Sequence, residues 1–90
     1  SKAAMIGLAR TMAVELGRFG MRVNCLLPGY IVTEIMADMP KEKRVALRQT
    51  IPMKRFGKVE EVSGAVAWLV GDDSTYMTGQ TLILDGGLSA

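Results

Sequence analysis

Ninety residues with a net charge of +2 and no histidine narrow what this chain does before any element is drawn. The length suits one small domain at most, so small a net charge argues against nucleic acid as a partner, and without imidazole there is no histidine base or histidine metal ligand, so no metal site is expected. The hydrophobic share is 49%, an excess that in a short chain means some apolar surface is covered by further sequence or by a partner subunit.

Cys25 is the lone cysteine, which excludes an internal disulfide and suits a reducing compartment. There is no run of about 18 apolar residues to span a membrane, and no charged, apolar leader precedes the first helical pattern. A cytoplasmic protein with no membrane partner is the expectation.

Residues 1–19 read as one helix, with Met5, Leu8, Met12, Leu16 and Phe19 forming an apolar stripe at three- and four-residue spacing. A second face of small residues, Ala3, Ala4, Gly7 and Ala13, permits close approach of another helix or a cofactor. No capping residue precedes the pattern, which reads as a helix entered after its first turn. Gly17 and Gly20 close it, Gly20 in the left-handed conformation that ends many helices. RVNCLLPGYIVT, residues 22–33, follows as a strand and turn. Val23, Cys25, Leu26 and Leu27 show no clean alternation, as in a parallel strand covered on both faces. Pro28 and Gly29 then break the run, proline for want of an N–H and glycine for backbone angles closed to other residues. In open α/β sheets ligands bind where a strand's carboxyl end gives way to such a turn.

Residues 34–39 form a short helical piece before Pro40, residues 41–50 a polar helix weakly anchored by Val45 and Leu47, and IPMKRFG a loop. The whole of 34–56 reads as a lid. Residues 59–70 make a second helix, with Val62, Val66, Leu69 and Val70 toward a core and Glu60 and Glu61 at the positive end of its dipole. GDDSTYMTG is turn chemistry, Thr81 to Leu84 a short strand, and Asp85-Gly86-Gly87 its end. A strand, a crossover helix and a strand predict two parallel neighbours, joined right-handedly, at one edge of a doubly wound α/β sheet. Two strands leave that sheet incomplete, and sequence before Ser1 is the simplest source of the rest.

Four ordered motifs carry a resemblance over essentially the whole chain: Ser1-Lys2 opening an alanine-rich helix, RVNCLLPGYIVT, IPMKRFGKVEEV and YMTGQTLILDGG. Together they resemble the C-terminal third of the short-chain dehydrogenase/reductase family, and within it the 3-oxoacyl-[acyl-carrier-protein] reductases most. The resemblance implies the C-terminal portion of a single Rossmann-type domain, inactive alone. It also implies a parent that moves hydride between a nicotinamide and a carbonyl carbon, with NADP the cofactor by family habit and NAD possible. Lys2 matches the lysine of the family's YxxxK motif, whose tyrosine would stand three residues before Ser1. A phenol's ordinary pKa is about 10, so a nearby ammonium is needed to make it an acid/base near neutrality. The same Lys2 would hold the ribose hydroxyls of the nicotinamide half.

Pro28, Gly29, Ile31 and Thr33 match the family's PGxIxT, in which the backbone N–H and C=O at the Ile31 position meet the nicotinamide carboxamide and the Thr33 hydroxyl adds a contact. An amide ligand needs one donor and one acceptor side by side. Thr33 capping the next helix is the structural alternative, and the two are compatible. Tyr30 either shapes the substrate pocket or fills the gap behind the lid, and Met36, Met39 and Met53 either suit a closing surface or fill gaps.

Seven of the eleven basic residues lie between Lys41 and Lys58, with Glu42 the one acid among them. They are either a positive rim for a carrier- or coenzyme-A-bound acyl substrate or a solvated helix and loop. Where carrier-protein reductases often place a basic docking residue this chain has Phe19, and Arg18 projects about 100° away round the helix. A 3-oxoacyl thioester reductase is the leading reading. Reductases of acetoacetyl-CoA, a steroid or a sugar, and a non-catalytic fragment or oligomerisation module, are the rivals. A homotetramer built through the first helix and the last strand is implied by the family.

Overall fold

The computed structural model describes residues 1–90, the side chain of Ile35 aside. The elements are α1 (Lys2–Leu16), β1 (Cys25–Pro28), α2 (Glu34–Ala37), α3 (Lys41–Thr50), α4 (Val59–Val70) and β2 (Thr81–Leu84), with single 3₁₀ turns at Gly17–Phe19 and Asp72–Ser74. β1 and β2 are neighbours in a two-stranded sheet. Cys25 N–H donates to Gln80 O at 2.9 Å and Gly29 N–H to Leu84 O at 2.8 Å. Both bonds join residues at the same sequence offset, so the strands run parallel. Alternation turns the nitrogen of Pro28 away from β2, and its missing N–H costs this ladder nothing.

Two compact units divide the chain, Ser1–Leu27 with Ala65–Leu82 and Pro28–Gly64 with Ile83–Ala90. In the first, Ala9, Ala13, Cys25 and Ser74 are buried. Helix α1 turns Ala9 and Ala13 inward, while Ala3, Ala4 and Gly7 of the expected small face are exposed: Cys25 Sγ donates to Met5 O at 3.7 Å, and a β-carbon at Gly79 would stand 3.3 Å from Ala13 Cβ. The expected stripe is on the outside. Met5, Leu8, Met12 and Phe19 are exposed, Leu8 at 61%, because close backbone approach favours alanine over bulk. Contrary to the expected absence of a cap, Ser1 caps α1, its Oγ accepting from Ala4 N–H at 3.2 Å. Gly20 ends the following turn with φ of 75°.

Arg22 ties this unit together, donating to Leu69 O at 2.7 Å, Ser74 O at 2.8 Å and Met77 O at 3.0 Å. Asn24 Nδ2 donates to Met77 O, and Asn24 Oδ1 accepts from Gln80 N–H. Val23 stands outside β1, its N–H donating to Thr78 Oγ1 at 3.0 Å. In α4 Val66 and Val70 are exposed, Val70 at 76%, contrary to the expected core face, while Val62 and Leu69 are half-buried.

The second unit is centred on Ile51, 2% exposed, and Met36. The turn after β2 closes on residues 51–53. Met53 N–H donates to Gly86 O at 3.1 Å, and Gly86, at φ of 66°, approaches Ile51 so closely that a β-carbon would meet its Cγ2 at 2.8 Å.

Candidate functional site

Beyond β1 the chain is held from two sides. Gly29 lies so near Asp85 that a β-carbon there would stand 2.8 Å from Asp85 Cβ and 2.9 Å from its Cα. Gly29 is therefore a glycine for space. Among the glycines, positive φ belongs instead to Gly20, Gly79, Gly86 and Gly87, which corrects the expectation that Gly29 turns the chain through backbone angles closed to other residues. The Asp85 carboxylate accepts from Gly87 N–H and Ser89 N–H, each at 3.0 Å, and so fixes the turn on which Gly29 packs.

Two residues on, Ile31 makes a parallel bridge to Gly57. Gly57 N–H donates to Tyr30 O and Val32 N–H donates to Gly57 O, both at 2.9 Å. In such a bridge the central residue turns its own N–H and C=O the other way. Among the described residues neither group of Ile31 has a partner. One donor and one acceptor stand side by side on a pinned backbone, the arrangement that recognises an amide.

A cavity of about 270 Å³ lies against this segment, lined among others by Tyr30, Ile31, Met53, Arg55, Glu61 and Gly86. The Tyr30 ring meets Phe56 edge-on, with centroids 6.3 Å apart, so Tyr30 both packs against the loop and lines the cavity. Arg55 donates to both Glu61 oxygens, at 2.7 and 3.0 Å, and Lys58 N–H donates to the same carboxylate at 3.0 Å. These bonds, Arg55's first and Lys58's second, lower the Glu61 pKa to about 2.

Thr33 stands at the N-cap of α2 in extended conformation, but its side chain makes no capping bond. The hydroxyl is exposed and not engaged with the helix it precedes. Met36 is buried and Met39 half-buried in the segment that follows. The second unit thus brings Pro28, Gly29, Tyr30, Ile31, Thr33, Met36 and Met39 into one stretch of structure. Lys2 belongs to the first unit, exposed in the opening turn of α1.

A family model described as enoyl-(acyl carrier protein) reductase matches residues 1–89. The chain belongs to the short-chain dehydrogenase/reductase family. This short-chain dehydrogenase/reductase chain is 42% identical over 89 residues to the human dehydrogenase/reductase SDR family member 4, covering 97% of this chain and 32% of that protein. It is 43% identical over 88 residues to a 3-oxoacyl-[acyl-carrier-protein] reductase of Thermotoga maritima, covering 98% and 36%. It is 44% identical over 90 residues to glucose 1-dehydrogenase 2 of Bacillus subtilis, covering 99% and 35%. Among solved structures, it superposes on a 3-oxoacyl-[acyl-carrier protein] reductase from Brucella melitensis with a TM-score of 0.94 at 37% identity, over 99% of this chain and 33% of that one. The chain spans about a third of the length of the relatives it matches.

The expected α/β class with parallel strands is what the structure has, and these neighbours are Rossmann-type enzymes. Two features of this short-chain dehydrogenase/reductase segment escape a reading of its sequence. Gly57, which pins Ile31, is signalled only as a glycine between Phe56 and Lys58, and Asp85 as the partner of Gly29 carries no local sign at all.

Proposed function

We infer that the protein carrying this chain is a nicotinamide-dependent oxidoreductase that reduces a 3-oxoacyl thioester, on a carrier protein or coenzyme A, to the 3-hydroxyacyl thioester. The observation that carries the reading is the free N–H and C=O of Ile31, fixed by the bridge to Gly57. That pair suits the carboxamide of a nicotinamide, and the residues present fit the group. When bound, the nicotinamide supplies the hydride.

The chain's own residues hold and orient. Ile31 would donate to the carboxamide oxygen and accept from its nitrogen, and so hold and orient that group. Thr33 offers its hydroxyl beside this pair. Pro28 and Gly29 set the turn, and Gly29 lets it lie against Asp85. By the family resemblance alone, Lys2 would supply the ammonium that favours the phenolate of the family's tyrosine and would donate to the ribose hydroxyls. Tyr30, Met36 and Met39 belong to the substrate side, with residues 34–56 as the lid. NADP is the expected cofactor. Cys25 as a free buried thiol suits the cytoplasm, and the exposed apolar stripe of α1 suits burial against another copy in a homotetramer.

The Thermotoga and Brucella relatives named as 3-oxoacyl-carrier reductases support the thioester, and the Bacillus glucose dehydrogenase, equally similar, keeps a sugar as the second reading. The test is to mix the full-length gene product with NADPH or NADH and acetoacetyl-CoA, a longer 3-oxoacyl thioester, a steroid ketone or a sugar lactone, following nicotinamide absorbance. Oxidation of NADPH by the 3-oxoacyl thioesters is expected. No turnover of any of them would remove this reading.

A further inference from the structure

Within the second unit, a groove of about 360 Å³ opens at Val32. Its floor is apolar, with Val32, Met36 and Phe56, and its wall is the face of α3 that carries Lys41, Arg44 and Arg48. At about 100° per residue, positions 41, 44 and 48 fall within about 60° of one another. Glu42, the acid of that helix, lies on another side, and no carboxylate lines the groove. Among the described residues the ion pair is Arg55 with Glu61, so none of the three cations is neutralised by a neighbour. Arg44 is half-buried, and its Nε is buried with no hydrogen-bond partner. A donor on a charged group is costly to bury unless something accepts from it.

Three cations around one space exceed what a single carboxylate balances. Two arginines one turn apart present forked donors that match the oxygens of a phosphate. The apolar floor, in turn, does not suit a bare hydrated anion. The ligand that satisfies both is a phosphate carried on a partly aliphatic arm. Val32 stands between Ile31 and Thr33, so such an arm leads from the groove to the turn that presents the free backbone pair.

We propose that this groove seats the phosphate of a phosphopantetheine arm, the portion that coenzyme A and carrier-protein thioesters share. Arg44 and Arg48 hold the phosphate, Lys41 adds a third charge, and the arm lies over Val32, Met36 and Phe56. The proposal rests on the thioester reading above and deepens it.

The test titrates the full-length gene product calorimetrically with 4′-phosphopantetheine, pantetheine and inorganic phosphate, with no turnover involved. Phosphopantetheine is expected to bind at least tenfold more tightly than either of the others, and more weakly as salt rises. Arg44→Gln and Arg48→Gln should each weaken it at least fivefold, and Glu42→Gln should not. Arg48 is exposed, so its variant should keep the wild-type melting temperature and serve where Arg44→Gln does not fold. Equal binding of pantetheine, equal binding of inorganic phosphate, or indifference to both arginine variants would each overturn the proposal. Coenzyme A and a holo-carrier protein form two further arms, and a loss in Arg48→Gln shared by both, or confined to one, supports the groove and names the source. A protein that binds phosphopantetheine through these arginines yet reduces no 3-oxoacyl thioester loses the reaction and keeps the groove. One that reduces such thioesters with an unchanged KM in both variants does the reverse.

Discussion

Replacing Gly29 with alanine tests the packing beneath the proposed nicotinamide turn. The new β-carbon would stand 2.8 Å from Asp85 Cβ and 2.9 Å from Asp85 Cα, where ordinary contact begins at 3.4 Å. Both atoms are tied to backbone, so neither swings aside as a side-chain tip would. The strand ends must part by about half an ångström or more, which strains the 2.8 Å bond from Gly29 N–H to Leu84 O. Overpacking costs about 1–3 kcal/mol and a weakened backbone hydrogen bond about 0.5–1.5 kcal/mol, so the expected loss is about 2–4 kcal/mol. Equilibrium urea unfolding of the full-length gene product, followed by far-ultraviolet circular dichroism, reads it as a lower midpoint at unchanged slope. Gly7→Ala is the control: a β-carbon at Gly7, inside α1, meets nothing within 4 Å, and alanine should raise stability by up to about 1 kcal/mol. If Gly29→Ala lies within about 0.5 kcal/mol of wild type, the range of ordinary surface changes, the claim that space dictates this glycine is refuted.

The Thr33 hydroxyl makes no capping bond, so Thr33→Val should change stability by less than about 0.5 kcal/mol. It should raise the KM for the dinucleotide about two- to tenfold, the worth of one hydrogen bond. Steady-state kinetics beside thermal melts separate the two effects, and a large stability loss would return Thr33 to a structural role. Glu61 titrates at about 2 instead of near 4.5, a lowered folded-state value, so its contribution is fully present above the ordinary value and is lost as pH falls through about 2. The difference in stability between wild type and Glu61→Gln should therefore be level from neutrality to about pH 5 and vanish near pH 2. It should be small throughout, because both side chains of the pair are 45% exposed. Arg22→Met removes the donor to three carbonyls and should cost about 2–4 kcal/mol in urea unfolding, whereas a loss under about 1 kcal/mol would mean those carbonyls find other donors.

The elements were legible wherever periodicity and punctuation agree. Helices α3 and α4 and strand β2 lie at the residues their patterns predict, because Pro40, Gly71 and the glycines after Leu84 bound them. What periodicity does not reveal is which apolar face is used. Helix α1 is apolar almost all round, and the packing distance to its neighbours selected Ala9 and Ala13 over the larger stripe. The exposure of Val66 and Val70 in α4 has the same character: an apolar face marks what is able to be buried, not what this chain alone buries. At the candidate site, the turn over residues 28–33 was readable from Pro28 and Gly29, while its supports were not. Gly57 and Asp85 reach it from distant parts of the chain, and local sequence carries no record of such contacts.

Amide NMR of the full-length gene product labelled with ¹⁵N-isoleucine reads whether the Ile31 backbone pair receives the nicotinamide. On titration with NADPH the Ile31 N–H should move downfield and become protected from exchange at saturation, with Ile6 in α1 and the deeply buried Ile51 changing far less. An Ile31 resonance unmoved at saturating cofactor, while other isoleucines shift, would contradict the claim that this residue receives the nicotinamide.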